Sequence, residues 1–405
     1  MSTHDRASGR APKREPVRRH VDEVVRWLFE PLLRPRPTTS SWRVVGWDAE
    51  QGPCITLERR GAVLLFELET RDESRAAWAR TERFNVHVRR MFEEGTPLRV
   101  GDRRLADAVV ELIRRREPHL PAVPRPPTGA RSARRDLLVD RVLIPEGRGH
   151  YYINPYVGCT IGCPFCYVGP RADLARSLEG LPQIPWGRYV DVKVNAPEVL
   201  RRELGEHAPG PVRMSPILTA PYQPVERTAR VTRRCLEVMV GTGFAPVILT
   251  RAARVTEDID VLRRFERAAV GVSLPSDDDH MRQLFEPGAD PIEARLEALE
   301  ALHAAGIPTF VVVQPMLPMD VDRVLQRLAP LVRAARVDRM HFLDTMRPTY
   351  EAHGLEWAME DAFFAETGRR LLDGFRDRGV VVDELDDLIG LIGRVGRVGR
   401  VGRAH

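Results

Sequence analysis

The sequence predicts an α/β protein, a partial (β/α) barrel with a small N-terminal α+β domain. Three observations carry that expectation. From about residue 141 onward, short apolar runs alternate with helical patterns, the order expected of βα units around a parallel sheet. Ahead of them, "WRVVGW", "CITLERR" and "AVLLFELET" form a strand meander with turn signals between. At 405 residues, the chain is long enough for one large domain and a smaller one.

In chain order, residues 1–40 read as a basic, largely disordered arm rich in Arg and Pro, in which "VDEVVRWLFEPLL" can form one short amphipathic helix. Residues 41–120 hold the meander and then two helical patterns, "ESRAAWARTERFNVHVRRMFEEG" and "RRLADAVVELIRRREPHL", together a small α+β domain. Trp42, Trp47 and Trp78 are expected to pack its core. Residues 121–140 are rich in Pro and Arg and poor in apolar side chains, which predicts a linker. The barrel is placed in residues 141–385. Its strands are expected at "HYYINP", "YVDVKVN", "RMSPILT", "PVILT", "AVGVS", "TFVVVQP" and "RMHFLD". Its helices are expected at "APEVLRREL", "RTARVTRRCLEVMV", "EDIDVLRRFER", "PIEARLEALEALHAAG" and "DVDRVLQRLAPLVRAA". Residues 386–405 repeat Gly-Arg-Val and read as a disordered tail that cannot bury a core.

Composition narrows the function. Hydrophobic content of 43% and charged content of 29% describe a globular protein. No apolar run approaches the roughly 18 residues that span a bilayer, and the N-terminus lacks the apolar segment of a secretory signal. Five cysteines, three of them clustered, do not make a disulfide framework, so a reducing cytoplasm is expected. The net charge of +5 comes from the ends: residues 1–20 contribute +4 (six bases, two acids) and the tail from Gly390 another +4, leaving −3 for the body. Nucleic acid is therefore not the favoured partner. Of 62 basic residues only Lys13 and Lys193 are lysine. A lone lysine in the ordered body marks a place where a compact ammonium fits and a planar guanidinium does not.

The chemistry is concentrated in "YYINPYVGCTIGCPFCYVGPR". Cys159, Cys163 and Cys166 stand at spacing C-x3-C-x2-C, three soft ligands on one tight loop. Gly158 and Gly162 permit sharp turns, and Pro164 interrupts a helix. A structural zinc site needs four ligands. Here no second cysteine pair follows, and the flanking histidines are His150 and His207. A cubane cluster held by three thiolates keeps one iron without a protein ligand, open to a substrate or cofactor. Zinc with three protein ligands stays as the alternative.

This spacing, with Phe165 just before the last cysteine, resembles the signature of the radical S-adenosylmethionine (radical SAM) superfamily. "VDVKVNAPEVLRREL", "TAPYQPVERTARVTRRCLEVM", "VILTRAARVTEDIDVL" and "FEPGADPIEARLEALEALHAAGIPTFVVVQPMLP" follow in order. They are similar to the subgroup that includes spore photoproduct lyase. The similarity covers about residues 143–344, leaving the small domain outside. It implies a barrel of the radical SAM type, with Cys159, Cys163 and Cys166 holding a [4Fe-4S] cluster and S-adenosylmethionine on the open iron. It also implies Lys193, Ser215 and Thr219 as contacts to that cofactor, with Tyr167 beside the cluster and adenine. An external one-electron donor of flavodoxin or ferredoxin type is the implied partner. The implied reaction is reductive cleavage of S-adenosylmethionine and hydrogen abstraction by a 5′-deoxyadenosyl radical.

Two departures bear on the substrate. The stretch from Tyr167 to Arg234 has no cysteine to serve as the lyase's hydrogen donor, and the family's "TDPYQP" reads "TAPYQP", without the acid. A peptide or small-molecule substrate is therefore favoured. A photoproduct-lyase-like DNA repair enzyme and a non-catalytic Fe–S or zinc protein stay as alternatives. Cys235, within a helical run, reads as a buried structural thiol. Ser276–His280 follow a strand and can line the mouth or cap a helix with solvated acids, and Glu286 can support the barrel mouth or end a loop. Gln314 is expected to point toward the site, and His341 and Asp344 are late-strand candidates for substrate contact.

Overall fold

A computed structural model gives the structure and describes residues 16–18, 21–34, 42–49, 52–73, 75–93, 96–120, 134–214, 219–382 and 393–394. The chain starts with a two-residue strand, β1 (Val17–Arg18), and helix α1 (Val21–Leu33). The meander then forms β2 (Arg43–Asp48), β3 (Cys54–Arg59) and β4 (Ala62–Thr70), followed by β5 (Ala79–Arg80), β6 (Phe84–Met91) and α2 (Val100–Arg116). The strands make one antiparallel sheet in the order β2-β3-β4-β6-β5.

Two expectations are corrected here. The segment from Glu73 to Gly95, read as a helix, contains β5 and β6. Phe84 and Val86 alternate into the core, and β6 pairs along all of β4, for example Phe66 with Val88. Cross-strand packing decides the state where local propensity is ambiguous. Helix α1, assigned to a largely disordered arm, is part of the small domain: Val21, Val24, Val25, Leu28 and Phe29 are buried in the same core as Phe66 and Val110. The arm also supplies β1, which pairs with Leu137 and Leu138, and its residues 1–15, 19–20 and 35–40 lie outside the described residues.

The larger region begins inside the expected linker. β7 (Arg134–Leu138) falls there, followed by β8 (Ile144–Gly147), β9 (His150–Tyr152), β10 (Tyr156–Val157), α3 (Val168–Leu178) and β11 (Val190–Lys193). Next come α4 (Ala196–Leu204), β12 (Pro211–Met214), α5 (Glu226–Ala229), α6 (Val231–Met239), β13 (Ala245–Thr250) and α7 (Ile259–Leu262). The remainder is β14 (Arg267–Ser273), α8 (Asp279–Phe285), α9 (Ile292–Ala304), β15 (Thr309–Val313), α10 (Val321–Leu328), β16 (Ala334–Val337), α11 (Leu343–Ala352), α12 (Asp361–Asp377) and β17 (Gly393–Arg394). The main sheet runs β16-β15-β14-β13-β12-β9-β8, parallel throughout except for the β8–β9 hairpin. Among the described residues β16 and β8 do not pair, so the sheet is a partial barrel.

Three details differ from expectation. β11 is not in the main sheet: it pairs with β7 and β10 in a second sheet of order β1-β7-β11-β10. The last strand is Ala334–Val337 rather than "RMHFLD". Helix α10 stops at Leu328, just before Pro330, whose ring cannot continue a helix, and the strand begins earlier. In the tail expected to be disordered, Gly393–Arg394 pairs antiparallel with the start of β14; its other residues lie outside the described ones.

The strand period of two sorts the main sheet into two faces. Ile248, Val270, Val311, Val313 and Ala335 pack against the helices. The alternate residues Ala245, Val247, Ala269, Phe310, Val312 and Ala334 form a cluster built of strand residues alone, the concave inner face. Continuing the alternation along each strand, by one or two steps, puts Arg251, Ser273, Gln314 and Asp338 at the C-terminal rim of that face. Among the described residues no helix is long and apolar enough to cross a membrane.

Candidate functional site

The cysteine loop leaves β10 and enters α3 at the C-terminal rim. Gly158 and Gly162 both take positive φ (82° and 67°), which lets the chain double back between the cysteines. Cys159, Cys163 and Cys166 line one cavity together with Ile161, Trp186, Thr219 and Arg251. Pro164 and Phe165 carry the chain over its outer side, and the Cys166 N–H donates to the Cys163 carbonyl at 3.1 Å.

Polar contacts fix the loop from two sides. Gln223, fully buried, accepts from the Thr160 N–H at 2.9 Å and donates to the Gly158 carbonyl at 3.1 Å. Thr219 Oγ1 donates to the same carbonyl at 2.7 Å. On the other side, the Gly288 N–H donates to the Ile161 carbonyl at 2.9 Å. A Cβ at position 288 would lie 2.6 Å from the Thr160 oxygen and 2.7 Å from the Ile161 oxygen, so the two backbones touch only because residue 288 is glycine.

One charge lines the cavity. Arg251 donates through Nε to Glu286, and Arg295 donates to the other Glu286 oxygen at 2.8 Å. Burial opposes ionisation of Glu286, but Arg295 and Arg251 together hold its carboxyl below the usual range. Burial raises all three cavity thiols, Cys166 to about 11 and Cys163 well above its ordinary value, while the Arg251 guanidinium acts the other way on each. Thiols in this setting stay protonated until a bound cation compensates the thiolate charge.

The donor set fits a metal cluster. Three soft thiols face one cavity, and Trp186 Nε1, enclosed and without a hydrogen-bond partner among the described residues, belongs to a cavity-lining side chain. Among the described residues no three His, Cys, Asp or Glu side chains are arranged to hold a single metal ion. A zinc site needs its ligands about 2.0–2.3 Å from one point. A polynuclear cluster takes each thiolate on a different iron.

The other sequence-derived residues divide. Thr219 lines the cavity; Ser215 lies outside the described residues. Tyr167 is the N-cap of α3, beneath the Arg171 guanidinium, and is not part of the lining. Lys193 is 1% exposed at the end of β11, near Cys235, whose thiol burial raises while the Lys193 charge acts the other way, and it too stands outside the lining. Asp278 caps α8 by accepting from the His280 N–H at 2.8 Å, and Asp277 pairs with Arg323. His341 lies in the loop after β16 and Asp344 in the first turn of α11, not late in a strand. His341 Nε2 is 3.0 Å from both Asp338 Oδ2 and Gln314 Nε2. Gln223, Trp186 and Arg251 escaped the sequence reading; an arginine directly after the apolar run "PVILT" was the available signal for the last.

Comparison with known proteins places this site. Residues 153–329 match the model of the Radical SAM superfamily. An uncharacterized protein of Methanocaldococcus jannaschii is 28% identical over 183 residues, covering 44% of this chain and 66% of that protein. The "Radical SAM Nalpha-GlyT isomerase" of Pseudomonas phage M6 is 28% identical over 182 residues, covering 44% of this chain and 36% of its own length. The chain thus spans less than two thirds of the curated relatives it matches. A spore photoproduct lyase structure superposes with a TM-score of 0.46 at 15% identity, over 65% of this chain and 87% of that one. The matched segment contains the cysteine loop, Thr219, Gln223, Arg251 and Glu286, so residues 153–329, which hold the site, are similar to the Radical SAM superfamily.

Proposed function

We propose that this protein is a radical SAM enzyme in which Cys159, Cys163 and Cys166 each give one thiolate to a [4Fe-4S] cluster, leaving one iron to S-adenosylmethionine. The observation that carries the reading is the shared cavity of the three cysteines at the C-terminal rim of a parallel sheet, where such folds place their chemistry. When bound and reduced by an external one-electron donor, the cluster and cofactor supply a 5′-deoxyadenosyl radical for hydrogen abstraction. The protein's share is to hold and enclose. Gln223 and Gly288 fix the loop, Arg251 offers a guanidinium to an anionic group such as the cofactor's carboxylate, and the apolar concave face keeps water from the reacting carbon. Thr219 already donates to Gly158, which suits it to setting the loop as well as to contacting cofactor. A peptide or small molecule is the favoured substrate, supported by the absence of a cysteine between Tyr167 and Arg234 that could act as the lyase's hydrogen donor.

The test is anaerobic reconstitution of the full chain with iron and sulfide, followed by dithionite and S-adenosylmethionine. The expected products are 5′-deoxyadenosine and methionine, at about four irons per chain. A colourless protein with one equivalent of zinc would replace this reading with that of a zinc protein. Deuterium transfer into 5′-deoxyadenosine from labelled peptides, set against irradiated DNA, then separates the substrate classes.

A further inference from the structure

The small domain lies outside residues 153–329, yet it grips the element that carries the chain away from the cysteines. Leu174, Ala175 and Leu178 of α3 are buried in the small domain's own core, beside Phe66 and Leu68. One turn earlier, Arg171 reaches Glu67 on β4 with two bonds, 2.6 Å from Nη1 and 3.1 Å from Nη2. Glu67 is 2% exposed and has a second guanidinium, Arg89, at 3.2 Å. The Arg171 guanidinium also lies over the Tyr167 ring, 5.1 Å from its centroid, and Tyr167 directly follows Cys166. At the far end of the open sheet, Arg75 of the same domain covers Phe342, just after β16, at 4.6 Å. The small domain therefore touches both ends of the partial barrel and the exit of the cysteine loop.

We infer that the small domain is a positioning element for the cysteine loop: Glu67 fixes Arg171, Arg171 lies on Tyr167, and this chain of contacts sets where Cys166 presents its sulfur. A bidentate arginine–carboxylate pair fixes orientation as well as distance, which a monodentate contact does not. Glu67 is buried and Arg171 largely so, and loss of the fork would leave the Arg171 guanidinium without its carboxylate and Glu67 to the half-exposed Arg89. The inference rests on the cluster reading for its chemical meaning, but the contacts themselves act in the metal-free chain.

The experiment compares Glu67→Gln, Arg171→Gln and Arg171→Lys with Arg148→Ala in the full chain. Arg148 docks the same domain through the Gly61 carbonyl, at 2.8 and 2.9 Å, away from the loop. Hydrogen exchange of the metal-free protein is read over residues 159–171. Glu67→Gln and Arg171→Gln should exchange there about tenfold faster than wild type, a population shift that one lost charge-assisted contact readily produces. Arg171→Lys should fall between, since an ammonium keeps the charge and loses the fork. Arg148→Ala should match wild type over that segment. After reconstitution, the same order should appear in the EPR line shape and reduction potential of the cluster. Equal exchange in Glu67→Gln and Arg148→Ala overturns the positioning role and leaves general domain docking. Failure of the wild type to take up a cluster, with the exchange order intact, overturns the cluster reading alone.

Discussion

The larger region and the small domain are built on opposite plans, and helix α3 is one of the places where they meet. In the former, the cavity-lining side chains gather at the rim of a parallel sheet, the three cysteines from one loop and Thr219 and Arg251 from two others. The inner face below them is small and apolar, from Ala245 to Ala334. In the latter, an antiparallel sheet and two helices close around Phe66, Phe84 and Ile113. At this contact, α3 is apolar at Leu174 and Leu178 and ionic at Arg171 with Glu67, and nearby the Tyr152 hydroxyl donates to Asp48 at 2.9 Å. The difference teaches that this site is not self-contained: Glu67, beyond the matched segment, holds Arg171 just past the exit of the loop.

Perturbations sort by how directly they strike one side of that comparison. Replacing any one of Cys159, Cys163 or Cys166 with Ala should reduce 5′-deoxyadenosine formation at least ~100-fold, because a cluster with two protein ligands is not retained; iron analysis and product chromatography check this. Next is the buried ion network. Glu286→Gln leaves Arg251 and Arg295 facing a neutral amide, and breaking a buried pair costs about 3–5 kcal/mol, read by urea unfolding. Leu174→Ala removes a side chain of the cysteine helix from the small domain's core and should cost about 2–5 kcal/mol by the usual cavity rule. Loss of loop protection together with that stability would show that the two domains are coupled through α3. The smallest effect is expected at an exposed pair. Arg327→Ala, opposite Glu293, should change stability by less than about 1 kcal/mol, the ordinary worth of a surface ion pair.

Acid should uncouple the two regions before it unfolds either. Burial alone would raise the Glu67 carboxyl, but Arg171 and Arg89 hold it below its ordinary value. A lowered folded pKa means that the contribution is fully present above the unfolded value of about 4.3 and is lost as pH falls through the folded value. Interdomain docking, followed by exchange at α3, should therefore weaken at pH below about 4. In Glu67→Gln this component of the pH dependence should vanish.

Much of the site was legible in the sequence, and what was not has physical reasons. The cysteine spacing and the alternation of strands and helices are visible because each is a local pattern, whereas Thr219 enters only through the family resemblance. β5 and β6 were read as helix because Arg, Ala and Glu are good helix formers; their pairing with β4 is a long-range fact that no window reveals. α1 was assigned to the arm because its partners, Phe66 and Val110, lie far along the chain. The end of α10 was signalled by Pro330 and passed over. Glu286 is visible in the sequence as a support of the barrel mouth, but Gln223 is not visible as a support of the loop, since its partner Thr160 is brought to it only by the fold. Lys193 stood out by composition and by resemblance, yet it sits outside the cavity lining, at the end of a strand that joins the second sheet.

The central claim is that three thiolates hold a cluster whose remaining iron accepts S-adenosylmethionine. EPR spectroscopy of the anaerobically reconstituted, dithionite-reduced full chain tests it directly. The account predicts a reduced [4Fe-4S] signal whose g-values shift when S-adenosylmethionine is added. A signal indifferent to that addition, or no signal beside stoichiometric zinc, would contradict it.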